Sequence, residues 1–152
     1  MPRLIIILDL DGVLITTPPW KADEIHTDGY SVFNQRCVDC FNELLTGLDA
    51  EVWVISTRRK GKTLHELQTI FQARGIHAPI AGLVPVYDDD MNRKDEALRF
   101  IRENNLQHYL IIDDNTLLNR LPREMKKRLV VTKYLLGFNE EKLAETREIL
   151  GN

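Results

Sequence analysis

Two acidic residues stand where a buried strand should end. The apolar run LIIIL, Leu4–Leu8, passes directly into Asp9, Leu10, Asp11 and Gly12. Side chains two positions apart on extended backbone share a face, so Asp9 and Asp11 point together while Leu10 points away. Two ionised carboxylates about 4 Å apart repel by about 4 kcal/mol at an effective dielectric of about 20. A solvated surface turn relieves that repulsion, and so does a bound cation. The rest of the chain favours the cation. IIDDN sets Asp113 and Asp114 at the end of another apolar run, VISTRRK sets Ser56, Thr57 and Arg58 at the end of a third, and MNRKDEA sets Arg93 and Lys94 at a helix start. Each piece has a plain explanation alone. Carboxylates, a hydroxyl and cations at successive element edges, in one chain order, together favour a bound hard cation.

The elements that must position these groups follow from periodicity. LIIIL, EVWVI (Glu51–Ile55), GLVPVY (Gly82–Tyr87), the run Tyr109–Ile112 and RLVVT (Arg128–Thr132) predict strands apolar on both faces, as in a parallel sheet covered on each side. Helical patterns cover Arg36–Thr46, Lys62–Arg74 with Gly75 as a stop, Lys94–Asn104, and a last segment from the N-cap Asn139 to Leu150. This alternation predicts an α/β three-layer sandwich, with a mainly parallel, Rossmann-like sheet of about five strands in one domain over 1–152. Ligands of such sheets bind beyond the carboxyl ends of the strands, where Asp9 and Asp11 lie. The stretch Val13–Gln35, rich in Thr, Pro, Asp and Gly, breaks the rhythm and is expected to form a flap beside the site.

The net charge of -3 gives no global basic field, so any nucleic-acid contact must be local. The N-terminal apolar run is too short for a secretory signal, and no run is long enough to span a bilayer, so a cytoplasmic protein is expected. Cys37 and Cys40 form CVDC, a pattern seen in redox and zinc sites. Cys37, Phe41, Leu44, Leu45 and Leu48 keep helical spacing, however, so both sulfurs are expected in the core with reduced thiols.

DLDGVL, VISTR, the lysine of NRKDEAL and IIDDN resemble the four ordered motifs of the haloacid dehalogenase-like (HAD) superfamily, mostly magnesium-dependent phosphohydrolases. Within it, S-x-R, R-K-D and I-D-D are similar to the phosphatase half of phage-type polynucleotide kinase-phosphatases. The segment after IIDD, with LVVTKYLLGFNEEKL, resembles the small HAD domain of putative RNA-repair proteins. The resemblance implies Asp9 as nucleophile and Asp11 as general acid and base. It implies Mg2+ held by Asp9, the Asp11 carbonyl and Asp114, with Asp113 in support, though sequence does not fix the order of Asp113 and Asp114. Ser56 would bind the phosphoryl group, helped by Thr57 and Arg58, and Lys94 would neutralise it, with Arg93 as the competing candidate.

Neither the gap from Asp11 to Ser56 nor that from Thr57 to Lys94 has room for a cap domain. An uncapped site suits a bulky phosphorylated substrate such as a nucleic-acid end, and equally a small nucleotide or metabolite ester. A non-catalytic phosphate- or partner-binding domain is the alternative outside enzymes. Arg58, Arg59, Lys60 and Lys62 form either a positive rim for further phosphates or a solvated helix start. Arg123, Lys126, Lys127 and Arg128 are expected on a wet helix face. Trp20 and Tyr30 could stack on a base but are expected to pack against the domain. Oligomeric state is not encoded in any visible pattern.

Overall fold

A computed structural model describes residues 3–151. The apolar runs form five parallel strands, β1 (Leu4–Leu8), β2 (Ala50–Val54), β3 (Ile80–Leu83), β4 (Tyr109–Asp113) and β5 (Leu129–Val131), in the order β3-β2-β1-β4-β5. The helices are α1 (Gln35–Leu45), α2 (Leu64–Ala73), α3 (Arg93–Glu103), the short α4 (Arg123–Lys126) and α5 (Glu140–Leu150). Chain order grows outward from β1 to β3, then returns to the other side of β1 for β4 and β5. That reversal makes the crevice between β1 and β4 the topological switch point of the sheet.

Alternation along β1 separates two cores. Leu4, Ile6 and Leu8 face Phe41 of α1, Leu67 and Phe71 of α2 and Leu143 of α5. Ile5 and Ile7 face Ala97, Phe100 and Ile101 of α3, together with Leu118 and Leu121. The four longer helices each start on a capping side chain. Asn34, Asn92 and Asn139 accept from backbone N–H groups of α1, α3 and α5, and Thr63 and Glu66 form a capping box at α2.

Two expectations shift. The third strand runs Ile80–Leu83 rather than from Gly82 to Tyr87. Val84 still donates to Val54, but Pro85 has no N–H to continue the ladder. The expected flap also starts later. Val13, Leu14 and Ile15 are buried, folded back on Leu10 through three N–H bonds to its carbonyl, and the exposed loop begins near Thr16.

Candidate active site

The ladder brings the two acidic motifs together. Leu8 pairs with Val54 on one side and Ile112 on the other, and the Asp9 N–H donates to the Ile112 carbonyl at 3.0 Å. Asp9 therefore emerges beside Asp113, and Ser56 emerges on its other flank. Ligand oxygens of Asp9, Asp113 and Asp114 lie within 4.8 Å of one another. Asp114 is pressed onto the first motif: a Cβ on Gly12 would sit 2.4 Å from its Oδ2, and Gly12 has φ +81°. Only glycine meets both the positive φ and the close approach. Thr132 closes the turn by donating from Oγ1 to the Gly12 carbonyl at 2.6 Å.

Asp113, the last residue of β4, is fully buried, and its Oδ1 caps the Asn115 N–H. Burial first, then the charge of Asp9, push its carboxyl well above the usual range even with Arg93 alongside. Asp114 is half-buried, and burial followed by the Asp9 contact raises it to about 7. Both shifts report the same strain: three carboxylates share one small volume.

The guanidinium that answers them belongs to Arg93. Its Nη1 donates to Asp113 Oδ2 at 2.7 Å and lies 3.3 Å from Asp9 Oδ1, while Nη2 reaches Thr57 Oγ1 at 3.3 Å. Glu96 flanks its Nε at 3.5 Å and is itself paired with the buried Arg59. Lys94, expected first for this place, is the neighbour of Arg93 in the first turn of α3. Its ammonium lies 4.0 Å from Asp95, with no ion pair to Asp9 within that distance. Successive helix positions differ by about 100°, so the two side chains leave α3 in different directions.

Ser56 is fully buried beside Asp9, and its Oγ accepts from the Arg58 N–H at 3.1 Å, which leaves its own proton to donate elsewhere. Asp9 and Ser56 are 3% and 0% exposed. Asp11 stays partly exposed and lies outside the three-carboxylate cluster, gripped through both oxygens by Arg58 at 2.7 and 2.9 Å. Arg58 also reaches Asp23, Tyr30 and Ser31 of the flap.

The positive rim is largely used up internally. Arg59 is 3% exposed and donates to the carbonyls of Ile55, Ser56, Val84 and Pro85, while Lys62 lies over the Tyr30 ring. Arg123, Lys126 and Lys127 do lie exposed. Tyr30 packs among Arg58, Lys62 and Arg74, but Trp20 does not pack: it is 75% exposed, beside a turn closed by Lys21 N–H to the Pro18 carbonyl. Cys37 and Cys40 are buried on α1, and burial pushes the Cys37 thiol up to about 11, which leaves it unreactive.

Residues missed in the sequence include Asp23, Ser31, Glu96 and Tyr134. Tyr134 follows β5 within electrostatic range of Asp11 and Asp23; burial first, then those charges, raise its phenol. No periodicity marks any of them.

All donors in the central cluster are oxygens, and three carboxylates face one guanidinium. Two negative charges remain when all are ionised. That set fits a hard divalent cation such as magnesium, which takes oxygen ligands and retains waters. Among the described residues, no helix is long and apolar enough to cross a membrane.

A direct comparison with curated proteins finds no match. The family model described as the HAD domain in Swiss Army Knife RNA repair proteins matches residues 5–143, nearly the whole chain. With its five-stranded parallel sheet and its acidic switch point, this chain belongs to that family of HAD domains, whose general character is phosphatase-like.

Proposed function

We propose that the chain is a magnesium-dependent phosphomonoesterase working through an aspartyl-phosphate on Asp9, and that it removes terminal phosphates from nucleic acid. The observation that carries this reading is the convergence of Asp9, Asp113 and Asp114 within 4.8 Å, flanked by Ser56 and Arg93. Asp9, Asp114 and the Asp11 carbonyl would hold the ion, which when bound supplies neutralisation of phosphoryl charge. Asp113 stands behind them, ion-paired to Arg93.

An Asp9 oxygen attacks phosphorus as the bond to the leaving oxygen breaks, and Asp11 gives that oxygen a proton. Water then attacks the phosphorus of the intermediate, Asp11 takes its proton back, and the Asp9 carboxylate is released with inorganic phosphate. Ser56 Oγ–H and the Arg93 guanidinium stabilise the equatorial oxygens. The expected outcome for Asp9→Asn is loss of turnover with an unchanged melting curve; appreciable residual rate refutes the nucleophile.

The nucleic-acid substrate is supported by the family description and by the exposed Trp20 in the stretch that follows the first motif. A small nucleotide or metabolite ester is the second reading, favoured by the internal use of Arg58 and Arg59. Phosphate release from a 3′-phosphorylated oligonucleotide, a 5′-phosphorylated one and free mononucleotides, with and without magnesium, separates the two. Turnover of mononucleotides alone overturns the end-processing reading.

A further inference from the structure

Arg58 has five N–H donors, and every one meets a protein acceptor. Nε and one N–H of Nη2 grip Asp11 at 2.7 and 2.9 Å; the second Nη2 donor reaches Asp23 at 2.8 Å. Nη1 reaches the Tyr30 hydroxyl at 3.3 Å and Ser31 Oγ at 3.1 Å. The flap side of this fork is independently fixed. Ser31 donates to Asp23 at 2.5 Å, and Arg74 at the end of α2 holds Asp28 through both oxygens and the Tyr30 and Ser31 carbonyls. A continuous series of charge-assisted bonds thus runs from α2 through the flap to Asp11. Such bonds are the strong, directional ones.

We propose that Arg58 is a positioning residue through which the docked flap sets the orientation of the Asp11 carboxylate. This rests on the reading of Asp11 as acid and base. The fork occupies one lone pair on each Asp11 oxygen and fixes the plane of the group, leaving a second lone pair on each for the transferred proton. Without the flap acceptors, Arg58 keeps its grip on Asp11 but loses its own registration, and the carboxylate turns with it. The flap then acts on the step that needs a proton, and not on substrate binding in general.

Leaving-group dependence tests this. An alkyl phosphate needs protonation of its leaving oxygen, whereas dinitrophenolate departs without it. Asp23→Ala and Tyr30→Phe are expected to lower kcat/KM for the alkyl ester about tenfold while changing the dinitrophenyl ester less than about twofold. Melting curves verify that both variants fold, and Tyr30→Phe keeps the ring packing should Asp23→Ala fail to fold. Asp11→Asn is the reference and must show the same selective loss, at least about 100-fold on the alkyl ester. If Asp11→Asn is selective while both flap variants slow the two esters equally, or not at all, the inference fails and the acid assignment stands. If Asp11→Asn itself is unselective, the acid assignment falls and the inference with it.

Discussion

Replacing Arg93 by methionine removes the cation that faces two carboxylates while keeping most of the side-chain bulk. At an effective dielectric of about 20, its attraction is about 6 kcal/mol to Asp113 at 2.7 Å and about 5 kcal/mol to Asp9 at 3.3 Å. Desolvation of a guanidinium whose side chain is 10% exposed offsets several kcal/mol of this, and removing one partner of a buried pair costs about 3–5 kcal/mol net. Proton uptake by Asp113 and Asp114 softens the loss, so about 3 kcal/mol is expected at pH 7. Lys94→Ala removes only a loose pair with a half-exposed Asp95 and should cost at most about 0.5 kcal/mol. Urea unfolding in chelator, followed by far-ultraviolet circular dichroism, measures both. At lower pH the Arg93→Met deficit should shrink, because burial already holds the Asp113 carboxyl well above the usual range and it takes up a proton more readily once the cation is gone. A Lys94→Ala loss equal to or larger than that of Arg93→Met, or an Arg93→Met loss below about 1 kcal/mol, refutes the charge balance.

Gly12→Ala places a Cβ into Asp114 at a positive φ; it should cost about 1–3 kcal/mol and weaken magnesium binding at least about tenfold, both readable by thermal shift with and without the ion. Stability of the metal-free protein should fall as pH rises from 3.8, the ordinary value, to about 7, because native Asp114 retains a proton that the unfolded chain has released. Magnesium should flatten that fall, and stability rising over the same window would contradict the raised carboxyls. Cys37 and Cys40 should resist alkylation at pH 8 in the native protein and label readily in urea; rapid native labelling would show that they are not core thiols.

The strand ends were legible because an apolar run that stops at a carboxylate marks both the element and its functional edge. Asp9, Ser56, Asp113 and Asp114 stand out that way, and the parallel register brings the three aspartates together at the β1–β4 crevice with Ser56 on the β2 side of Asp9. Which of Arg93 and Lys94 rests against the carboxylates was not legible, since neighbouring positions in a first helical turn differ only in azimuth and the packing of α3 on the sheet sets it. Arg59 read as either a rim cation or part of a solvated helix start because its partner, Glu96, is far away in sequence and meets it only in the folded core. Asp23, Tyr30 and Ser31 sit in a loop without periodicity, and only tertiary contacts show that two arginines pin it.

The most direct measurement is mass spectrometry of peptides from protein quenched in acid during turnover of an aryl phosphate. With magnesium present, one phosphoryl group should appear on the peptide carrying Asp9, fragment to that side chain, and be lost in Asp9→Asn. Steady turnover with no adduct, or with the phosphoryl group on another residue, would contradict the account.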